Sequence, residues 1–355
     1  MSPAPTAAFR ASAGRRVVGL TWAFLCAAGA ALILYDFSGL VRVFPGSALL
    51  AAALLLLTVA VGVGILEQAR PIRPPSRPWA WSAVAWGGTA ATGSAIVANT
   101  GLQGVWFKTT GIDFGSRWGA ALTAPLNEEL LKVSGVLLIA LGSRRLVRGP
   151  LDGFFLGAFT GLGFQVVENW TFAMNSVVIA GGIDEGAAVG QSFTTRVVLT
   201  GVGSHWAMTA VAGTGVGILL AHRSPPAPRR HLAALLCLLT AMGMHWFFDS
   251  PYLGSVAGIA GKAVLNFLVA LGFYLTLRRG VRDRARAYLL SPETTLSPDL
   301  LTRGSRRRAL RGVPPAQRAD AEARAALYLD EVEEHAAVRP PRPAAVSRAA
   351  RSPHS

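Results

Sequence analysis

The feature that most constrains this chain is the recurrence of apolar runs long enough to cross a bilayer. Eight can be marked, at about residues 17–35, 46–66, 79–100, 119–142, 151–179, 192–221, 231–251 and 254–277. A hydrocarbon core about 30 Å thick takes about 20 apolar residues per helical crossing, and several runs reach that length. Soluble domains are about 25% charged; this chain is 15% charged and 52% apolar. The predicted fold class is therefore all-α, a polytopic membrane helix bundle of about eight transmembrane helices. It occupies residues 1–277, and the fifth and sixth runs are long enough to tilt or to include interfacial turns. From residue 278 the chain turns dense in Arg and Pro, so 278–355 is expected to be a basic cytoplasmic tail, largely disordered, with one helix-like stretch at 319–337.

A net charge of +15 could signal nucleic acid, but its placement argues for topology. Arg10, Arg15 and Arg16, then Arg70, Arg73 and Arg77, then Arg144, Arg145 and Arg148, then Arg223, Arg229 and Arg230 alternate with gaps nearly free of Lys and Arg. The positive-inside rule then puts both termini in the cytoplasm of a multi-pass cell-membrane protein. Its expected partner is the lipid bilayer, with no nucleic acid. The first run lacks an A-x-A cleavage site and is kept as a crossing, not a signal peptide. Cys26 and Cys237 lie inside apolar runs and offer neither a zinc nor a disulfide spacing. Arg, Ala and Pro richness with only three lysines points to a high-GC, bacterial coding bias.

Ionisable groups inside the crossings are the informative residues, since each costs about 2.5–3.5 kcal/mol at the bilayer centre and usually marks function. The fourth run contains Asn127-Glu128-Glu129-Leu130-Leu131-Lys132. Lys132 lies within one helical turn of both glutamates but can neutralise only one. The other carboxylate then needs a proton or a partner on another helix, which suits a base that activates water. The competing reading is a buried ion-pair cluster that orients helices. The fifth run carries Glu168 and Asn169 beyond glycines at 153, 157 and 161, a four-residue repeat that admits a second helix backbone. His205 lies in the sixth run, and His245 and Asp249 share a helical face in the seventh. A lone membrane histidine is commonly a packing residue, but a carboxylate that fixes a histidine's tautomer recurs in metal and catalytic sites. Asp152, Arg196 and Lys262 lie nearer segment ends, where snorkelling would suffice. At 1.5 Å per residue, Glu128, Glu168, His205 and His245 all fall between the outer third and the midplane, so four helices can bring them together.

On these residues the chain resembles the PrsW family of bacterial intramembrane proteases, relatives of the CAAX prenyl endopeptidases. That family's E-E-x-x-K pattern is matched by Glu128, Glu129 and Lys132, and F-x-x-x-E-N by Phe164, Glu168 and Asn169. His205 supplies the later histidine, and His245 with Asp249 supplies H-x-x-x-D. The resemblance covers about residues 119–251. It implies hydrolysis of a peptide bond in a membrane-anchored substrate, such as a single-pass anti-sigma factor. The implied catalytic set is Glu128, Glu129, Lys132, Glu168, Asn169, His205, His245 and Asp249: Glu128 or Glu129 activates water, Lys132 restrains its neighbour, and Asp249 orients His245. If a metal is bound, zinc on Glu168, His205 and His245 is the expected set. H-E-x-x-H, G-x-G-D and G-x-S-G motifs are absent. Two rival classes use the same cluster, a non-proteolytic scaffold and a proton- or ion-coupled transporter; the second glutamate disfavours the first, and the lack of two-half symmetry the second.

Overall fold

The computed structural model describes residues 7–72, 76–143, 147–221, 227–290 and 302–338, and every regular element among them is helical. Contacts divide the chain into two compact units, residues 1–70 with 74–277, and residues 71–73 with 278–355. In the first unit α1 (Ala7–Val43) and α2 (Pro45–Ala69) precede α3 (Arg77–Trp86), which runs through a π-helical turn, Gly87–Ala91, into α4 (Thr92–Thr110). Then follow α5 (Ile112–Gly142), α6 (Pro150–Ile179), α7 (Glu185–Phe193), α8 (His205–Leu220), α9 (Ala227–Asp249) and α10 (Val256–Leu289), the last of which continues into the second unit.

Five of these helices, α1 from Gly14 onward, α2, α6, α9 and α10, are long and apolar enough to cross a membrane. That is fewer than the eight expected. The third, fourth and sixth runs do lie on helices, but α5 carries Glu128, Glu129 and Lys132 in its middle and α8 has only 16 residues. Outward faces of the peripheral helices are leucine-rich: Leu20, Leu49, Leu56, Leu232, Leu236 and Leu268 are each more than half exposed. α6 is the opposite. Its most apolar window is 83% buried, against 6% for α1, so α6 is the central helix on which the others assemble.

Small residues let them approach. A Cβ at Gly153, Gly157 or Gly161 of α6 would collide with the backbone carbonyls of Gly213, Thr209 and His205 respectively, and one at Gly217 of α8 would strike Gly149. Both helices thus present a four-residue ridge of backbone to each other. On another side of α6, Gly163 admits the Val84 carbonyl of α3.

The sixth run, expected as one crossing, is broken. A π-helical turn at Thr194–Leu199 and a 3-10 turn at Gly201–Gly203 precede an extended Ser204, and α8 starts at His205. Side chains repair the freed backbone, as a break in apolar surroundings requires. Gln165 Nε2 and Trp206 Nε1 donate to Gly201 O at 3.3 and 3.0 Å, and Thr200 Oγ1 donates to Thr195 O at 3.0 Å.

Asp152 and Lys262, expected to snorkel, are buried instead. Lys262 Nζ donates to Ser250 O at 2.7 Å and Phe248 O at 3.0 Å, occupying carbonyls that the end of α9 leaves free. Asp152 pairs with Arg70 and accepts from Arg148 N–H at 2.8 Å.

In the second unit, α11 (Arg303–Arg311) and α12 (Pro315–Val338) follow the end of α10. Tyr288, Leu289 and Ala285 bury against Tyr328, Leu329, Val332 and Ile72. This apolar cluster explains why residues 302–338 are helical where the composition suggests disorder; residues 291–301 and 339–355 lie outside the described residues.

Candidate active site

Helices α5, α6, α8 and α9 bring their polar groups to one buried point. Glu129, Lys132 and His245 are at most 1% exposed, and Glu128 and His205 are 3% exposed. Such groups survive burial only when mutually paired, and here they are. Pro125, three residues before Glu128, interrupts the α5 hydrogen-bond ladder just ahead of the acidic pair.

Lys132 Nζ lies 2.7 Å from Glu129 Oε1 and 3.5 Å from Glu128 Oε2. Glu129 Oε1 also accepts from His245 Nδ1 at 3.0 Å, and its Oε2 accepts from Thr209 Oγ1 at 3.1 Å. Both oxygens of Glu129 are thus hydrogen-bonded. Glu128 differs. Its Oε1 accepts from Asn99 Nδ2 of α4 at 2.9 Å, while its buried Oε2 has no hydrogen-bond partner. That orphaned oxygen faces His245 Nε2 at 3.7 Å and His205 Nδ1 at 3.8 Å.

The two imidazoles are held from behind by carboxylates. His205 Nε2 lies 2.7 Å from Glu168 Oε2, and Lys132 Nζ lies 3.1 Å from His205 Nδ1. An ammonium has no acceptor, so Nδ1 accepts and the hydrogen-bond geometry assigns the proton to Nε2, which donates to Glu168. His245 Nδ1 donates to Glu129 in the same manner, turning Nε2 toward Glu128. Asp249 Oδ2 lies 3.3 Å from that same Nε2. It therefore stands on the Glu128 side of the ring, so that Glu129 and Asp249 flank the imidazole at its two nitrogens.

Asn169 joins through Arg196, whose Nε donates to Asn169 Oδ1 at 2.8 Å and whose guanidinium pairs with Glu168. Arg196, expected only to sit near a segment end, and Asn99 and Thr209, which the sequence does not single out, also contact the cluster. For Arg196 a signal existed, a guanidinium within an apolar run that is interrupted by Gly201 and Gly203; Asn99 and Thr209 carry none.

One ligand atom each from Glu128, His205 and His245 can be chosen so that all lie within 4.8 Å of one another. The expected metal set had Glu168 in place of Glu128, but Glu168 lies behind His205 and is engaged by Arg196. The donor set fits a divalent cation on three counts. Glu128 Oε2 is buried and accepts no hydrogen bond. Both histidines donate their far N–H to a carboxylate, the arrangement typical of metal-bound imidazole. Four carboxylates, Glu128, Glu129, Glu168 and Asp249, face two fixed cations, Lys132 and Arg196, leaving two formal negative charges when both imidazoles are neutral.

Comparison with known proteins identifies the family. One family model, described as PrsW family intramembrane metalloprotease, matches residues 75–277. No curated protein and no solved structure matches the chain. The match spans more than half of the 355 residues and encloses the whole buried cluster from Asn99 to Asp249, and the chain therefore belongs to the PrsW family of intramembrane metalloproteases.

Proposed function

We propose that the protein hydrolyses a peptide bond of a membrane-anchored protein substrate, a single-pass anti-sigma factor being the class the sequence resemblance suggests. The observation that carries this reading is Glu128 Oε2, buried, without a hydrogen-bond partner, and faced by both imidazoles and the Lys132 ammonium. Glu128, His205 Nδ1 and His245 Nε2 would hold a zinc ion, which supplies Lewis acidity and brings a bound water to a pKa of about 7. Glu129 and Glu168 keep the histidines turned inward, and Lys132 offsets the charge of the acidic pair.

Of the two glutamates first expected to act as base, Glu129 is fully engaged and Glu128 serves as donor. The base falls to Asp249, which is partly exposed and lies 3.3 Å from His245 Nε2. Asp249 takes a proton as the water oxygen bonds to the scissile carbonyl carbon. It returns that proton to the departing amine as the C–N bond breaks.

The alternation of Arg-rich with Arg-poor loops supports eight crossings with both termini cytoplasmic, which would put the cluster toward the outer side of the bilayer. The test is purified protein in detergent, incubated with single-pass substrates with and without chelator, for wild type, Glu128→Gln and Asp249→Asn. Glu128→Gln should lose both zinc and cleavage, and Asp249→Asn should keep zinc and lose cleavage. Cleavage by either variant at the wild-type rate would refute the assignment.

A further inference from the structure

Arg196 lies in the π-helical turn before α8, nine residues ahead of His205. In an unbroken helix that separation is two and a half turns, which would place the two side chains on opposite faces and about 13 Å apart along the axis. In the folded chain both reach the same atom, Glu168 Oε2. The break at residues 194–204 is what permits this.

The guanidinium is gripped from one face of α6 in three ways. It pairs with Glu168, its Nε donates to Asn169 Oδ1 at 2.8 Å, and it stacks 3.6 Å over the Phe172 ring. A planar fork with fixed donors suits that task where an ammonium would not. An arginine serving only to snorkel would need none of these partners.

We propose that Arg196 is a positioning residue of the hydrolytic site: it fixes Glu168, so that Glu168 holds His205 with Nδ1 turned toward Glu128. This rests on the reading above for what the site does, but its test does not. The ring nitrogens of His205 are read by 15N NMR on metal-free, histidine-labelled protein in detergent, the His205 signals being assigned by their loss in His205→Gln.

Wild type should show the Nε2–H tautomer. Because Lys132 still donates to Nδ1, Arg196→Ala should shift those signals part of the way toward a mixture, Arg196→Lys should fall between, and Arg196→Ala should add nothing once Glu168→Gln is present. Zinc affinity, measured by competition with a chromophoric chelator, should fall about 10–100-fold in Arg196→Ala, the usual cost of losing a group that orients a ligand. Wild-type tautomer signals in Arg196→Ala, or equal shifts with and without Glu168→Gln, would overturn the proposal. Should Arg196→Ala fail to fold, Arg196→Lys and Arg196→Gln take its place, and unchanged signals in both sink it equally. If wild type cleaves nothing, the proposed function fails while the tautomer result still decides the role of Arg196.

Discussion

Two chains of charge meet at Glu128, and they are built differently. One runs Lys132–Glu129–His245, the other Arg196–Glu168–His205; each is a cation, a carboxylate and an imidazole in series. In the first, all three side chains are at most 1% exposed. In the second, Arg196 and Glu168 are 21% and 22% exposed. The buried arm draws its pairing from helical spacing on α5 and one contact to α9. The other needs a broken helix to present Arg196. A buried carboxylate with a single removed partner is costly, whereas water can stand in at a partly exposed one. The first arm is therefore expected to hold the fold together, and the second to tune the site.

Removing the carboxylate from each arm gives the largest contrast. Glu129→Ala strands Lys132 and the His245 N–H in a dry interior and should cost about 3–5 kcal/mol of unfolding free energy. Glu168→Ala leaves Arg196 able to reach water and should cost less than half as much. Unfolding in mixed micelles measures both, and equal losses would erase the distinction.

A smaller loss should follow from wedging the seat of His205 alone. A Cβ at Gly161 runs into the His205 carbonyl, so Gly161→Ala should cost about 1–3 kcal/mol as overpacking and weaken zinc binding through the exposed arm. Gly243, on α9, has no atom within 4 Å of an added Cβ, so Gly243→Ala should stay within about 0.5 kcal/mol of wild type. If the two alanines behave alike, close approach of α6 and α8 is not what places His205.

The contrast between the arms also explains what could be read in advance. Glu128, Glu129 and Lys132 share a turn of one helix, so their pairing is written in the spacing 128, 129, 132. The glycines at 153, 157 and 161 likewise announce a close helix partner. Arg196 was legible only as a charge near a segment end, because its contacts depend on backbone that leaves the helix at Gly201-Val202-Gly203; spacing arguments assume the helix continues. The two glycines were the available hint. Asn99 and Thr209 meet their carboxylates across helices, and nothing local encodes such a meeting. The same applies to Lys262, whose partners are carbonyls at the end of α9.

The arms converge on Glu128, and its support from α4, Asn99, gives the smallest expected effect on stability among the cluster's own side chains and the sharpest test of what Glu128 is for. Asn99 is partly exposed and donates to Oε1, leaving Oε2 toward the histidines. Water can replace a partly exposed donor, so Asn99→Ala should cost about 0.5–1.5 kcal/mol, the net value of an ordinary hydrogen bond. Zinc affinity should nevertheless fall, because the carboxylate is then free to rotate its second oxygen out of the cluster. Asn99→Asp replaces the donor 2.9 Å from Glu128 with a like charge and should be worse on both counts. Unfolding and zinc titration on the same preparations separate the two effects. If Asn99→Ala destabilises as much as Glu129→Ala while zinc binding is unchanged, then Glu128 belongs to the structural framework of the buried arm, and the free oxygen at the meeting point of the two arms is not the one that does the chemistry.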